Sequence, residues 1–513
     1  MSDIARAIFA VPPFPGATPA DMVRPGEPEA AHRVSATQLI AAFRTYRVGG
    51  AFWQYTAGPG LTTDPWADHS ARHHVRAGDA HALLAAIAGQ ALRIDGEGPF
   101  AMLAGITPGS PEMDALLRVL VQRHLLTGIR YHDPFTGQPT SPIALLEILM
   151  DWRDLIEANR PLVAAFGFAH WKRDTVDPLL WGGHAIPFLP ARMGELDKLP
   201  PDAAIAVWKA RVSPTFLDHL ERGPWRIVEV EDGFIRSAGL GADCVPPLSI
   251  VVDDLGVHYD PLRPSRLEAM LVAGHVSAIN LARARRLREW LVRDGISKYG
   301  VASGAALPRP GGGRRHILVT GQVEDDRSVQ FGAGGAVRTN LALLQTVRER
   351  EPRAWIIYRP HPDVEAGHRR GAIPPQTALQ YADSIDAASP ISALIAMVDE
   401  VHVITSLAGF EALLHGKAVT THGTPFFAGW GLTQDLALAS PRRGVTRTLD
   451  ELVAAVLLRY PRYLDPVTNL PATAEILVMR LLSGIHRQNS ALVPLRRLVG
   501  RAKRTVAHLL GVR

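Results

Sequence analysis

The stretch from Val401 to Lys417 constrains the fold more than any other in this chain of 513 residues. The apolar run Val401-His402-Val403-Ile404-Thr405 has strand length. It passes directly into Ser406-Leu407-Ala408-Gly409-Phe410-Glu411 and then Ala412-Leu413-Leu414-His415-Gly416-Lys417. A buried strand therefore ends at Thr405/Ser406, a helix starts at once, and Gly416 stands near its stop. Such a turn aims unpaired backbone N–H groups and the positive helix end at one spot, which suits a phosphate. Glu411, about a turn and a half further on, is placed to accept from a ribose hydroxyl. The expectation is a nucleotide site.

The same pattern of short β-rich runs followed by helical segments extends from Pro161 onward. The runs are Ala204–Trp208, Trp225–Val230, Leu248–Val252, His316–Thr320, Ala354–Tyr358, Glu400–Ile404 and Ala418–Thr421. That alternation predicts parallel α/β architecture. The Pro/Gly/Arg segment Leu307–Arg315 reads as a linker between two Rossmann-type domains, 161–306 and 307–470, with a cleft between them. Residues 1–33 are proline-rich and are expected to be irregular. Residues 34–160 form a helical accessory region on their apolar spacing, with helices over Ala80–Ile94, Pro111–Leu126 and Ile143–Asn159. No internal repeat is visible there.

Charge and composition exclude several classes. The net charge is +5, but from Ile476 to Arg513 there is no Asp or Glu, and eight Lys and Arg residues fall there. The rest of the chain is then slightly acidic, so nucleic-acid binding is not expected. In the tail, 471–513, Leu495, Leu498, Val499, Val506, Leu509 and Leu510 share one helical face. Arg496, Arg497, Arg501, Lys503 and Arg504 cover the other. A basic amphipathic helix of this kind fits an anionic inner-membrane surface or packs on its own protein, and both readings stand. No apolar run approaches the roughly 20 residues of a membrane span, and Met1–Ala10 has no signal-type apolar core. The single cysteine, Cys244, excludes an internal disulfide and fits the cytoplasm. His69, His73 and His74 lack apolar periodicity around them and read as a solvated loop, not a metal site.

Ligands of open α/β sheets bind beyond the carboxyl ends of the strands. Applied here, that rule selects Glu231-Asp232-Gly233-Phe234-Ile235-Arg236-Ser237, then Gly321-Gln322-Val323-Glu324-Asp325-Asp326-Arg327-Ser328. It also selects Arg359-Pro360-His361-Pro362-Asp363, and Thr405-Ser406 with Glu411. Each has a bland reading. Glu231-Asp232-Gly233 alone is a common turn, His361 between prolines a rigid loop residue, and Glu324-Asp325-Asp326 a solvated helix start. Gly429-Trp430-Gly431 is either a turn or an aromatic packed over a ligand. Four polar clusters at the same predicted edge argue for a catalytic cleft.

These motifs, in this order, resemble the capsule polysaccharide biosynthesis family of KpsC/LipA type. The family comprises bacterial retaining β-Kdo transferases with a GT-B-like fold. The likeness extends through Pro247–Asp254, Tyr259–Glu268 and Pro425–Asp435 and covers residues 166 to about 465. The chain carries one such module, similar to the second of two found in many family members, and has Trp208-Lys209 where the family usually has Trp-Gly. The resemblance implies CMP-Kdo as donor, a lipid-linked glycan as acceptor, and no cofactor. It implies double displacement with Asp232 as nucleophile, and an acid/base partner drawn from Glu231, Glu324 and Asp325. Arg236 would face the sugar carboxylate. His361 and the Thr405/Ser406 turn would hold the CMP phosphate, with Gln322 and Arg359 nearby and Glu411 on the ribose or cytosine. The chain has no Asp-x-Asp triplet, so the leaving-group charge falls to the helix end, His361 and Arg359, with no metal expected. A cytoplasmic protein, peripheral at the inner membrane through its tail, is the matching location. Two other functions fit a two-domain cleft: a non-catalytic capsule assembly or export protein that binds nucleotide or glycan, and a sugar-nucleotide 2-epimerase.

Overall fold

The computed structural model describes residues 2–54, 64–66, 73–237, 245–298, 300–301, 306–365, 367, 369–438 and 440–484. Cys244, His69 and the amphipathic segment from Leu495 lie outside the described residues. The chain divides into two compact units. The first holds residues up to Leu162, with Asp177–Pro187 and Val467–Pro471. The second holds Val163–Val176, Phe188–Pro466 and the residues from Ala472.

The first unit is mainly helical, with two small sheets among its helices. Where an irregular start was expected, Ser2–Ile8 is a helix; Ala5, Ile8 and Phe9 are buried, and Phe9 meets the rings of Phe43 and Tyr131. The expected helix Ala80–Ile94 stops at Ile87. Gly89 takes a positive φ, and Leu92–Asp95 becomes a strand paired in parallel with His73–Arg76. His74 therefore lies on a strand, and its Nε2 is hydrogen-bonded to the Asp95 carboxylate. Val23–Pro25, Ile129–His132 and Pro139–Thr140 form an antiparallel sheet. Helices Pro111–Val121 and Pro142–Asn159 begin at Ser-Pro pairs. Ser110 and Ser141 accept the backbone N–H three residues on, and the proline occupies a position that needs no donor.

The second unit contains two large sheets and a two-stranded hairpin, Ile296–Ser297 with Gly300–Val301. In the first are β1 (Leu162–Phe166), β2 (Phe188–Leu189), β3 (Ala204–Val207), β4 (Arg226–Asp232) and β5 (Ser249–Asp253). Their order is β2-β1-β3-β4-β5, followed by Pro461–Leu464. Parallel pairing joins β1 to β2 and β3 to β4. β5, however, runs antiparallel to both β4 and Pro461–Leu464, so this half departs from the expected parallel pattern. Pairing with β5 also carries β4 two residues beyond its apolar run, to Asp232, opposite Ile250. Helix α1 (His170–Leu180) follows β1, and helix α2 (Pro214–Arg222), capped by Ser213, follows β3. On α2, Phe216 and Leu220 lie one turn apart and join Phe166, Ile205 and Val207 in the core. Burying each such side chain contributes about 1.5–3 kcal/mol.

The second sheet is wholly parallel. It comprises β6 (His316–Thr320), β7 (Trp355–Arg359), β8 (Ser384–Ile385), β9 (Glu400–Val403), β10 (Ala418–Thr421) and β11 (Gln434–Asp435), in the order β8-β7-β6-β9-β10-β11. Two helices that bear on the site accompany it, α3 (Asn340–Arg350) and α4 (Leu407–Leu414). β6 and β9 are buried at every position, as expected of strands covered on both faces. The segment Leu307–Arg315 is pinned to this half: Arg309 pairs with Asp399 at 2.6 Å, and the Arg314 guanidinium lies over Trp355. At the C-terminal side, Ala474–Leu482 is a helix with Leu477, Val478 and Leu481 buried. Arg480, counted in the basic tail, is ion-paired with the buried Asp465 at 2.9 Å.

Candidate active site

A cavity of about 1050 Å³ lies in the second unit, lined from both sheets by the ends of β4, β6, β7 and β9. On the first-sheet side, Glu231 and Asp232 end β4 and Arg236 follows it, with Lys172 and Trp171 from the first turn of α1. Two glycines make this side possible. Gly233 brings its backbone against Ser249, where a Cβ would stand 2.2 Å from the serine Oγ. Gly167, at φ +82°, lets the Trp208 carbonyl approach to 2.7 Å of where a Cβ would be.

Asp232 carries two cations. Its Oδ2 is 2.9 Å from Arg236 Nε and its Oδ1 3.3 Å from Lys172 Nζ. Lys172 is 4% exposed and Arg236 1%. The lysine ammonium also lies 3.2 Å from the centroid of the Trp208 ring, a cation–π contact in a desolvated setting. Arg236 Nη1 donates to Ser237 Oγ at 2.7 Å, while its buried Nη2 has no hydrogen-bond partner. Burial alone would raise the Asp232 carboxyl, but the Arg236, Lys172 and Lys298 charges outweigh it and hold the group well below the usual carboxylate range. Glu231 goes the other way. Burial, reinforced by the neighbouring Asp232 charge, raises it to about 7, and its Oε1 accepts the Asp232 N–H at 2.9 Å. Lys172 is lowered by burial to about 8, against the pull of Asp232 and Glu231.

On the second-sheet side, the turn after β9 has the expected form. Ser406 caps α4 by accepting the Ala408 N–H. Gln322 grips the turn from β6: its Oε1 accepts the Thr405 N–H at 2.8 Å and its Nε2 donates to Thr405 Oγ1 at 2.9 Å. His361 lines the cavity with Nδ1 accepting the Asp363 N–H at 3.1 Å, which leaves Nε2 as the ring's donor. Burial lowers its pKa, so the ring is neutral near pH 7. Arg359 lines the cavity but also donates to the Asp386 carbonyl at 2.9 Å. Glu411 accepts the Lys298 N–H at 3.1 Å, and burial raises its carboxyl to about 7.

Two expected residues are placed differently. Trp430 does not line the cavity: it is fully buried, and its indole N–H donates to the Phe426 carbonyl at 2.9 Å. Phe426, from the same segment, reaches the cavity instead. Glu324 turns away to accept the Asn340 N–H at 2.8 Å at the start of α3, and serves the loop rather than the cavity. Arg236 is committed to Asp232 and Ser237, so only Nη2 remains for a sugar carboxylate. Asp325 lines the cavity but is exposed and paired with Arg369. Lys209 is buried between Glu221 and Glu229, at 3.1 and 2.6 Å.

Sequence reading missed Lys172, Lys298 and His258. Lys172 follows β1, whose Leu-Val-Ala-Ala-Phe run was absent from the strands read from sequence; the strand-end rule applied there selects Trp171-Lys172. His258 is packed among Phe234, Tyr259 and Phe426, and burial, with the Lys298 charge, lowers it to about 3. No motif around it signals the cavity.

Fold and site together define an α/β protein with two large sheets in its second unit, and with a capped strand-to-helix turn and a cation-flanked acidic pair on one cavity. A family model described as capsule polysaccharide biosynthesis protein matches residues 208–299 and 303–463. The capsule polysaccharide modification protein LipA of Neisseria meningitidis serogroup B is 38% identical over 370 residues, 70% of this chain and 52% of LipA. The lipopolysaccharide-processing protein LpsZ of Rhizobium meliloti is 37% identical over 329 residues, 62% of this chain and 73% of LpsZ. Among solved structures, the β-Kdo 2,7 transferase of Thermosulfurimonas dismutans KpsC matches with a TM-score of 0.52 at 34% identity, over 63% of this chain and 99% of that one. The β-Kdo 2,4 transferase of the same KpsC matches with a TM-score of 0.52 at 28% identity, over 62% and 98%. The chain belongs to the capsule polysaccharide biosynthesis family of KpsC/LipA type. It spans about half the length of the LipA relatives, 52%.

Proposed function

We propose that this chain is a retaining glycosyltransferase that moves Kdo, a 2-keto acid sugar, from CMP-Kdo to a lipid-linked glycan in capsular polysaccharide biosynthesis. The observation that carries the reading is Asp232: an ionised, doubly ion-paired carboxylate on the same cavity as a capped strand-to-helix turn. Likeness to the two KpsC β-Kdo transferases supports the donor sugar.

In the first step an Asp232 oxygen attacks the anomeric carbon. The bond from that carbon to the CMP phosphate oxygen breaks, and its electron pair leaves with the phosphate. The backbone N–H groups at the start of α4, His361 and Arg359 are the groups on this cavity suited to the departing charge. In the second step an acceptor hydroxyl attacks the same carbon, its proton passes to a base, and the electron pair of the Asp232 ester returns to the carboxylate. Two inversions give retention. Glu231 suits the base better than Glu324 or Asp325. It adjoins Asp232, and its raised pKa matches proton transfer near neutrality. Glu411 suits the ribose or cytosine.

No helix among the described residues is long and apolar enough to cross a membrane. Our reading adds a cytoplasmic location with peripheral inner-membrane contact through the tail from Leu495. Truncation after Leu482 then releases the protein from the membrane fraction; unchanged fractionation counts against that contact. The activity itself is tested by offering CMP-Kdo and a panel of UDP-sugars with a Kdo-containing glycolipid. CMP release coupled to acceptor growth supports the reading, and epimerised UDP-sugar or no turnover contradicts it.

A further inference from the structure

We propose that Lys172 selects the donor by charge: as the covalent adduct forms, its ammonium passes from the Asp232 carboxylate to the sugar's own carboxylate, so that only a keto acid sugar is transferred. This rests on the reading of Asp232 as the nucleophile and names the chemistry by which that site chooses its substrate.

The argument is one of charge conservation in a buried place. Lys172 and Arg236 are both almost wholly buried, and both take Asp232 as their anion. Lys172 has the Trp208 ring face on its other side, 3.2 Å away, which fixes the ammonium over Asp232 Oδ1. When an Asp232 oxygen bonds to the anomeric carbon, the carboxylate becomes a neutral ester. The CMP phosphate takes the electron pair and departs with it. Two buried cations then lose their common counter-ion, a costly arrangement unless another anion arrives. In a 2-keto acid sugar a carboxylate is attached directly to the reacting carbon, so it enters with the bond that removes the first charge. Arg236 Nη2, buried and without a partner, offers a donor for it beside Lys172. The other charged group facing Lys172 is Glu231, which adjoins Asp232, while Lys298 adds a further positive charge at Asp232. An ordinary aldose brings no replacement anion and leaves the pair of cations uncompensated.

The test follows adduct formation by intact-protein mass in single turnover, with CMP-Kdo and with its primary amide at the sugar carboxyl. Wild-type protein is expected to label about 100-fold faster with the acid than with the amide, the size of effect seen when one partner of a buried charge pair is removed. Lys172→Met is expected to slow labelling by the acid and to shrink the acid/amide preference below about 10-fold, with CMP affinity unchanged as the check on folding. A wild-type protein that labels equally fast with both donors overturns the proposal without any variant. So does a Lys172→Met protein that keeps the full preference. Absence of any adduct with CMP-Kdo in the wild type defeats instead the reading of Asp232 as nucleophile, so the two failures are distinct.

Discussion

Glu231 accepts the backbone N–H of Asp232 at 2.9 Å, and these two sequence neighbours are driven to opposite acidities. Asp232 faces Arg236 and Lys172 and stays ionised; Glu231, buried beside that negative charge, rises to about 7. Pairs of carboxyls pushed apart by their surroundings mark an acid/base division of labour.

That division predicts different pH profiles for the two half-reactions. Adduct formation needs Lys172 charged, so its rate is flat below about pH 8 and falls as pH rises through Lys172's value of about 8. Transfer to the acceptor needs Glu231 ionised, so it falls as pH drops through about 7. Esterification of Asp232 removes the charge that raises Glu231, which moves this limb toward lower pH. Glu231→Gln should slow transfer about 10²–10⁴-fold, the usual range for a general base, and leave adduct formation intact. Equal slowing of both steps contradicts the assignment.

Gln322 holds Thr405 by two hydrogen bonds at the strand-to-helix turn. Gln322→Ala leaves the buried Thr405 N–H unpaired, at about 1–3 kcal/mol. The expected outcome is a lower Tm together with CMP binding weakened about 10-fold, measured by calorimetry. CMP affinity unchanged despite a lower Tm separates the turn from the phosphate.

Trp430 is a packing residue whose indole N–H donates to Phe426 O. Trp430→Phe removes that bond and some buried volume, so the expected result is a loss of about 1–3 kcal/mol with donor KM within about twofold of wild type. A large rise in donor KM at unchanged stability restores it as a ligand platform.

The second sheet was the more legible half. Its apolar runs are buried on both faces and each ends in a polar turn, so β6, β7 and β9 could be read from sequence together with Gln322, His361 and Thr405 at their ends. The first sheet was harder because β5 reverses direction, a consequence of pairing rather than of any local propensity. Lys172 stayed hidden behind β1, a five-residue strand next to Gly167. Lys298 reaches the site from a two-stranded hairpin distant in sequence, and its N–H meets Glu411 only in the folded chain. The Gly-Trp-Gly motif gave the wrong placement for Trp430 since tertiary packing decides which aromatic of that segment faces the cavity. In the first unit, Gly89 ended a helix that apolar spacing alone would have continued into Leu92–Asp95.

The central claim is a covalent bond between Asp232 and the transferred sugar. Intact-mass and peptide mapping after brief incubation with CMP-Kdo, without acceptor, tests it most directly. Wild-type protein should gain the mass of one anhydro-Kdo on the peptide carrying Asp232, and Asp232→Asn should gain none while still binding CMP. Full acceptor transfer by Asp232→Asn, or a label on another residue, would contradict it.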